Sequence, residues 1–426
     1  MKGTVHAADL FAGAGGTSTG LILACKSLER GIDLLAVNHW EEAIKAHSAN
    51  YPWARHICQR IEAVMPREVV PGGHLNLMVA SPECTFHSVA RGGRPINDQL
   101  RASPWHLLPW LQELVVDSLL VENVPEFQKW GPLNAKGRPM KAQAGETYKA
   151  WLGAIRSLGY NVDARILNSA DYGDATSRRR LFVIARRGRK PITFPAPTHS
   201  KGGTTAGTKP WVAAREVIDW SIKGESIFGR KRSLSPHTIA RIAEGLRRFG
   251  GPQLRPFLVG LVGRNLALRS VDEPMPAPTG HGAGALVEPF LVEMEHGGRI
   301  RSIEEPLSTI TTAKGGAFGV AAPYLVQYNG ASQAQPVTDP MPTVTTRDRF
   351  GLVQPIVDGY TLDIRFRMLQ PHELSAAMGF PKGYVFTGTR TEATKQIGNA
   401  VSVQIAKALC LSLLAPSVRT TLGDVQ

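Results

Sequence analysis

Residues 77–88, LMVASPECTFHS, combine a short apolar run with a polar loop that contains a cysteine. The four apolar residues at the start indicate a fully buried strand, which Ser81 and Pro82 end. Ligands of parallel α/β sheets bind outside the carboxyl ends of the strands, and this loop places Cys84 there. A lone cysteine is more commonly a small buried hydrophobe. The interpretation of Cys84 therefore depends on the segments around it.

The N-terminal residues have the pattern of a strand, a glycine-rich turn and a helix. Residues 4–11 are strand-like, and apolar residues recur at helical spacing from Leu21 onward. Between them, Gly13, Gly15 and Gly16 allow a ligand to approach the backbone closely. The turn has neither the Gly-Lys-Ser/Thr of a phosphate loop nor the spacing of a dinucleotide site. A cofactor without phosphates is therefore favoured over ATP.

Strands and helices alternate along the rest of the first 190 residues, which predicts a doubly wound, mostly parallel sheet. The remaining predicted strands are 34–37, 56–58, 77–80, 118–121, 162–167 and 181–185, and the predicted helices are 41–50, 105–116 and 148–158.

Several polar or aromatic residues follow these strands. Trp40 is equally compatible with stacking on an adenine ring and with capping the core. Glu122 and Asn123 come at the carboxyl end of a buried strand, which is the functional edge of such a sheet. Arg178 and Arg180 precede another strand and share a face in extended geometry, because they are two residues apart.

The composition points to a polyanionic partner. There are 49 basic and 35 acidic residues, the net charge is +14 and the pI is about 9.8, so nucleic acid is the leading candidate. The four cysteines have neither a disulfide nor a zinc spacing, which suits a reducing cytoplasm and no metal. No signal peptide or apolar run of membrane-spanning length is apparent, so we expect a soluble, intracellular protein without a membrane partner.

From about residue 191 the composition changes to Pro, Gly, Thr and Arg, and a motif repeats. PFLVG, PFLVEMEHGG, PYLVQYNGAS and PIVDGYTLD begin at Pro256, Pro289, Pro323 and Pro355, which lie 33, 34 and 32 residues apart. This period, with β-branched and glycine-rich stretches, predicts a small array of stacked β units, each a hairpin-like module. The proline density disfavours helical repeats of similar period.

Helical patterning returns at Arg365 and ends in TKQIGNAVSVQIAKALCLSLLAP. We expect Gly398, Asn399 and Ala400 to open an apolar helix that packs on the N-terminal sheet.

Five segments now occur in a fixed order: DLFAGAGG from Asp9, SPEC from Ser81, ENV from Glu122, RRR from Arg178 and QIGNAV from Gln396. In this respect the chain resembles the DNA cytosine-5 methyltransferases of bacteria and phages. The resemblance covers about residues 1–190 and 363–426. It implies a Rossmann-like α/β domain that binds S-adenosylmethionine (1–190), completed by the C-terminal segment (363–426), with an inserted, repeat-containing, β-rich target-recognition domain (191–362).

The same resemblance assigns roles to residues of this chain. Cys84 is the nucleophile that adds to carbon 6 of a flipped-out cytosine, Glu122 shares a proton with N3, and Arg180 holds O2. Arg178 and Asn123 belong to the same catalytic group. The implied cofactor-binding residues are Asp9, Phe11, Ala12, Gly13, Gly15, Gly16 and Trp40, together with Asn399 and Ala400 from the other end of the chain. Double-stranded DNA is the implied substrate, for a cytoplasmic monomer in a restriction-modification system with a cognate endonuclease.

The chain departs from the family pattern at four places. Glu83 stands directly before the cysteine, where proline is usual. His39 stands where a glutamate usually binds the cofactor ribose, so Asn38 or Glu41 is expected to substitute. In the family, an acidic residue near the position of Arg60 usually binds the adenine amino group, and here Glu62 is the nearest candidate. The fourth departure is Thr176, where a glutamine is usual.

Three alternatives remain open at this stage. A tRNA cytosine-5 methyltransferase has a related core, although the long insertion argues for DNA. A non-catalytic DNA-binding protein of the same fold is opposed by the intact Cys84, Glu122 and Arg180. A nicotinamide dehydrogenase explains the glycine turn but neither the repeats nor the charge.

Overall fold

The computed structural model describes most of the N-terminal and C-terminal parts of the chain and separate pieces of the region between them. The described residues are 3–83, 101–188, 190–228, 230–234, 239, 242, 257–259, 268–275, 285–293, 300–301, 324–327, 334–336, 350–353 and 360–415. Cys84 and most of the basic loop that follows it lie outside them. The chain divides into two compact units, residues 1–212 with 375–426 and residues 213–374.

The first unit is built on a seven-stranded sheet of order β3-β2-β1-β4-β5-β7-β6. Strands β1 to β5 are parallel, and β7 runs antiparallel to both β5 and β6. The predicted mostly parallel sheet is therefore confirmed. The strands are β1 Thr4–Leu10, β2 Gly31–Asn38, β3 Arg55–Cys58, β4 His74–Ala80, β5 Val115–Asn123, β6 Tyr160–Asn168 and β7 Arg179–Arg187.

Helices cover both faces of this sheet, with one apolar cluster on each side. One cluster joins the sheet to Trp110 and Trp151, and the other joins it to Leu21 and Leu409. The α-helices of the part of the chain that the structure describes, in both units, are α1 Gly16–Ser27, α2 Glu41–Asn50, α3 Pro66–Val69, α4 Leu108–Glu113, α5 Glu146–Ser157, α6 Pro371–Ala377, α7 Arg390–Asn399 and α8 Val403–Leu414. Short 3₁₀ turns are Ile61–Ala63, Ser103–Leu107, Pro125–Lys129, Lys141–Gln143, Ser169–Tyr172, Lys201–Gly203 and Ala214–Glu216.

Two predicted helix boundaries were wrong. The helix expected over 105–116 is a 3₁₀ turn followed by α4, which ends at Glu113 because Leu114 is extended (φ −114°, ψ 154°) and the β-branched Val115 begins β5. At the C-terminus, Gly398 and Asn399 end α7 rather than opening a helix. The apolar helix is α8, which begins at Val403.

As predicted, helix α8 packs on the sheet, and it also packs on α1. A Cβ atom at Gly20 of α1 would lie 2.6 Å from the Cβ of Ala406, so the two helices touch where glycine leaves room. Residues Arg390–Leu414 are long and apolar enough to span a membrane, but 67% of their most apolar window is buried inside the protein. This burial is typical of core helices.

The N-terminus of α8 is capped by a distant carboxylate. Asp174 Oδ1 accepts a hydrogen bond from the Gln404 amide at 3.2 Å, and Oδ2 accepts one from the Ile405 amide at 3.3 Å. The nearer Ser402 hydroxyl instead contacts Met378 Sδ at 3.5 Å. Asp174 therefore satisfies two amides of the first turn that have no partner within the helix.

This cap predicts a specific pH dependence of stability. Burial raises the pKa of Asp174 to about 8, against the opposing effect of the two amides. The folded protein then retains a proton that the unfolded chain loses near pH 4, so this contribution to stability is complete below about pH 4 and is lost as the pH rises through about 8. Between about pH 4 and 8, Asp174 should lower the free energy of unfolding by up to about 1.4 kcal/mol for each unit of rising pH. Denaturant unfolding at several pH values should show that Asp174→Asn lacks this decrease.

The first unit extends beyond residue 190, where the sequence placed its end. Phe194 is buried in the core beneath the Arg165 guanidinium, 4.7 Å from the ring centroid. Tyr172 donates a hydrogen bond to the Pro195 carbonyl at 3.0 Å, and Trp211 Nε1 donates to Asp171 Oδ1 at 2.9 Å. The proline-rich composition after residue 190 thus marks an irregular segment that packs back on the sheet. Within it, β8 His199–Ser200 pairs with β9 Lys209–Pro210.

The described strands of the second unit pair antiparallel, and the pairing follows the sequence repeat. In the first repeat, Phe257–Val259 pairs with Leu268–Ser270 and with the start of Ala285–Glu293. In the third, Tyr324–Gln327 pairs with Ala334–Pro336 and Phe350–Val353. The second repeat forms the equivalent pair between Ala285–Glu293 and Ile300–Arg301. The unit's strands are β10 Glu225–Ser226, β11 Phe257–Val259, β12 Leu268–Ser270, β13 Ala285–Glu293, β14 Ile300–Arg301, β15 Tyr324–Gln327, β16 Ala334–Pro336, β17 Phe350–Val353 and β18 Tyr360–Met368.

A buried ion pair holds the two ends of this second unit together. Arg367 donates to both carboxylate oxygens of Glu373, at 2.8 and 2.9 Å, and to the carbonyls of Asp219 and Ile222. Glu373 also accepts from the Asp219 amide, and its side chain is fully buried. These contacts link the first residues of the unit, around Asp219 and Ile222, to its last residues, around Arg367 and Glu373.

Arg367→Ala should lower the free energy of unfolding by about 3–5 kcal/mol, because it leaves the buried Glu373 carboxylate without its cation. The exposed pair of Arg215 and Asp272 gives the matched control: Arg215→Ala should cost about 0–1 kcal/mol. Denaturant unfolding measures both. Equal losses for the two variants would contradict the assignment of Arg367 as the fastening residue.

Candidate active site

The glycine turn lies at the carboxyl end of β1, in the middle of the sheet. Its backbone takes left-handed conformations at Phe11 (φ 63°), Gly13 (φ 55°) and Gly15 (φ 98°), and the Ala12 amide donates to the Val37 carbonyl at 3.1 Å. A Cβ atom at Gly15 would lie 2.6 Å from the Tyr384 hydroxyl. The turn therefore requires glycine for its conformation and for its close packing.

Residues from the far end of the chain pack on this turn. A Cβ atom at Gly16 would meet the Ala400 side chain at 3.1 Å, and the Tyr384 hydroxyl donates to the Ala14 carbonyl at 2.5 Å. Ala400 is buried and Asn399 is exposed beside it. The structure thus brings the predicted residues 399 and 400 to the predicted glycine turn.

Asp9 supports the turn from inside the protein. Its carboxylate is buried and accepts a hydrogen bond of 2.6 Å from Ser18 of α1. Ser18 Oγ lies 2.9 Å from His47 Nε2, and His47 Nδ1 lies 2.8 Å from His56 Nε2, so a polar chain runs from β1 towards β3. Burial raises the pKa of Asp9 to about 7 and lowers that of His47 to about 3. Sequence reasoning missed Ser18 and His47, because neither belongs to a recognisable motif.

Trp40 directly precedes α2 and follows the carboxyl end of β2. Its amide donates to Asn38 Oδ1 at 2.8 Å, and Lys395 Nζ lies 4.4 Å from its ring centroid. The ring is half-buried and belongs to neither apolar cluster of the described residues. Of the two interpretations from sequence, capping the core is therefore not supported.

Glu122 and Arg180 form a close pair near the carboxyl end of β5. Arg180 Nε lies 3.2 Å from Glu122 Oε1. The strand register places Glu122 opposite Phe182. Arg180 lies two residues before Phe182 and is therefore on the same face of the sheet as Glu122. Burial raises the pKa of Glu122, although the charges of Arg180 and Arg178 oppose this. The site therefore combines a carboxyl group that gains a proton easily with a fixed cation.

Asn123 joins this pair to the loop that leads to the cysteine. Its Nδ2 donates to the Pro82 carbonyl at 3.2 Å, and its Oδ1 accepts from the Val124 amide at 2.9 Å. The Ser81 amide donates to the Leu10 carbonyl at 3.1 Å, which ties the same loop to β1. Arg178 is buried nearby, and its carbonyl accepts from the Ser169 amide. Because Cys84 lies outside the described residues, its predicted role stays a prediction.

The departures from the family pattern also have positions in the structure. His39 Nε2 and Glu83 Oε1 lie 3.7 Å apart. Glu41 pairs with Lys45 at 3.0 Å. Arg60 Nε lies 2.6 Å from Glu62 Oε1, and Thr176 is fully buried.

Comparison with known proteins agrees with this geometry. The family of C-5 cytosine-specific DNA methylases matches residues 5–223 and 308–415, about three quarters of the chain. The chain therefore belongs to the C-5 cytosine-specific DNA methylase family.

Curated relatives match less than half of the chain. The type II methyltransferase M.Sau3AI of Staphylococcus aureus is 29% identical over 190 residues, covering 42% of this chain and 43% of the relative. M.XorII of Xanthomonas oryzae is 30% identical over 207 residues, covering 47% and 44% respectively. The matches thus span less than half the length of these relatives.

The fold resembles solved methyltransferases over almost the whole chain. The Entamoeba histolytica methyltransferase EhMeth superposes with a TM-score of 0.56 at 15% identity, covering 96% of this chain and 98% of that one. Spodoptera frugiperda DNMT2 gives a TM-score of 0.56 at 14% identity, covering 96% and 100%. The mixed α/β sheet is therefore a Rossmann-like methyltransferase fold.

Proposed function

We propose that the protein is a DNA cytosine-5 methyltransferase, which transfers a methyl group from S-adenosylmethionine to carbon 5 of a flipped-out cytosine in a specific DNA sequence. The observation that carries this proposal is the Glu122–Arg180 pair, 3.2 Å apart and fastened through Asn123 to the loop that leads to Cys84. A carboxyl group, a fixed cation and an adjacent thiol are what addition to a pyrimidine ring requires.

The cofactor fits the carboxyl edge of the sheet. Gly13, Gly15 and Gly16 leave backbone without side chains at three positions of the turn from Phe11 to Gly16, and the half-buried Trp40 offers a ring for stacking at the end of β2. Asn399 and Ala400 border the same turn, while Asp9 holds it from behind through Ser18. When bound, S-adenosylmethionine supplies an electrophilic methyl group.

The protein's task is to make carbon 5 of cytosine nucleophilic. The Cys84 thiolate forms a bond to carbon 6, and the displaced electron pair makes carbon 5 enamine-like. Glu122 shares its proton with N3, and Arg180 holds O2, so negative charge does not build up on the ring. After carbon 5 is methylated, loss of its proton and departure of the thiolate restore the aromatic ring. Because the reacting atoms are stacked inside the duplex, the cytosine must first be flipped out.

The insertion between the two catalytic segments is the proposed recognition domain. The sequence assigns it residues 191–362, and the second compact unit spans residues 213–374. Its repeated antiparallel modules offer the same type of surface several times, and the net charge of +14 suits a phosphate backbone. Double-stranded DNA as substrate, a monomeric state, a cytoplasmic location and a cognate restriction endonuclease belong to the same proposal.

Bisulfite sequencing of plasmid DNA from cells that express the protein tests this function. We expect 5-methylcytosine in one fixed sequence context, and none in cells expressing Cys84→Ser. Total RNA from the same cells is the second arm of the experiment. Methylcytosine in RNA but not in DNA would establish the tRNA alternative, and its absence from both would leave a non-catalytic protein.

A further inference from the structure

The second strand of this sheet ends without the carboxylate that a ribose requires. In nucleotide-binding α/β sheets, an acidic residue downstream of the glycine turn accepts hydrogen bonds from the ribose hydroxyls. Here β2 ends in Asn38, followed by His39 and Trp40. Asn38 Oδ1 already accepts the Trp40 amide at 2.8 Å. The Glu41 side chain is 73% exposed and is paired with Lys45 at 3.0 Å.

A carboxylate reaches this place from another strand. Glu83 follows β4, and its Oε1 lies 3.7 Å from His39 Nε2 after β2. Because β2 and β4 both flank β1 in the sheet, the two side chains meet across the carboxyl end of β1, where the glycine turn begins. The crevice outside these strand ends is where such sheets bind their ligands.

Both side chains remain available to a ligand. A separation of 3.7 Å is too long for a direct hydrogen bond, and the side chains of His39 and Glu83 are 42% and 38% exposed. Within the described part of the chain, neither has a hydrogen-bond partner.

We infer that Glu83, beside His39, supplies the ribose-binding carboxylate that β2 lacks. This inference rests on the proposed function, because it concerns the adenosine part of the methyl donor. Glu83 stands where the family has proline, and His39 stands where it has glutamate. Together, these two departures move the acidic group from the end of β2 to the end of β4. It now stands directly before Cys84 in the chain.

Calorimetric titration of the full-length protein with S-adenosylhomocysteine and with its 2′,3′-dideoxy analogue tests this inference without using activity. Hydrogen bonds to a charged group are worth enough for wild type to prefer the complete ribose by about 10- to 100-fold. Glu83→Gln should weaken S-adenosylhomocysteine binding by about the same factor and affect the analogue little, so that the preference disappears. Glu41→Gln is the matched control and should bind both ligands as wild type does.

The exchange can also be reversed. His39→Glu combined with Glu83→Pro returns the acidic group to β2, and this double variant should recover both the affinity and the preference that Glu83→Pro alone loses. The inference would be overturned if Glu83→Gln still preferred S-adenosylhomocysteine over the analogue as strongly as wild type does. It would also be overturned if Glu41→Gln lost this preference. In both cases, binding by wild type would still support the proposed cofactor. If wild type bound neither ligand, the proposed cofactor itself would be wrong.

Discussion

Cys84→Ser is expected to abolish methyl transfer, with a rate loss of at least about a thousand-fold, because a hydroxyl is a far weaker nucleophile than a thiolate at neutral pH. The side chains are similar in size, so binding of cofactor and DNA should remain close to that of wild type. Tritium transfer from labelled S-adenosylmethionine to DNA measures the rate, and gel mobility shift measures DNA binding.

Cys58 provides the control for this substitution, because it is a free, exposed cysteine at the end of β3. Cys58→Ser should transfer tritium at the wild-type rate. A Cys84→Ser protein that kept most of its activity would show that another group attacks the cytosine.

Glu122→Gln should slow the chemical step by about 10²- to 10⁴-fold, the usual contribution of a positioned general acid. The amide keeps the shape of the side chain but cannot share a proton with N3. Burial raises the pKa of Glu122, so the protonated form persists to higher pH than in a free carboxylic acid. The rate of the chemical step in wild type should therefore decline as the pH rises and Glu122 loses its proton. The Glu122→Gln variant should lack this decline, because its amide does not titrate.

Single-turnover rates separate this effect from binding. Glu126→Gln makes the same chemical change four residues further along the chain, in the turn after β5, and should react as wild type does. If Glu122→Gln reacted within about threefold of Glu126→Gln, the carboxyl edge of β5 would not contain the proton donor.

The catalytic half of the fold was predictable because its signals are local. A buried apolar run such as 77–80 and the glycine turn after β1 each fix an element from neighbouring residues. The order of these elements then predicted the sheet, and Glu122 lies at the carboxyl end of β5, close to Arg180. The pairing of β5 with β7 brought them within 3.2 Å.

Features that depend on partners distant in sequence were not predictable. Asp174 caps α8 across about 230 residues, and Arg367 reaches the carbonyl of Asp219 across 148. Neither contact leaves a periodic pattern. The end of the first unit was placed too early for the same reason, because the contacts of Phe194 with Arg165 and of Trp211 with Asp171 are tertiary. The meeting of His39 and Glu83 likewise required the strand order β2-β1-β4.

The most direct test of the central claim is a covalent trap. A duplex oligonucleotide that contains the methylated sequence context, with 5-fluorocytosine at the target base, is incubated with the protein and S-adenosylmethionine. Fluorine at carbon 5 cannot leave as the proton does, so the bond between Cys84 and carbon 6 should persist. We expect mass spectrometry of the denatured protein to show a stoichiometric DNA adduct on the peptide that contains Cys84, and none in Cys84→Ser. Methylation of ordinary DNA by a protein that forms no such adduct, or an adduct on another residue, would contradict the account.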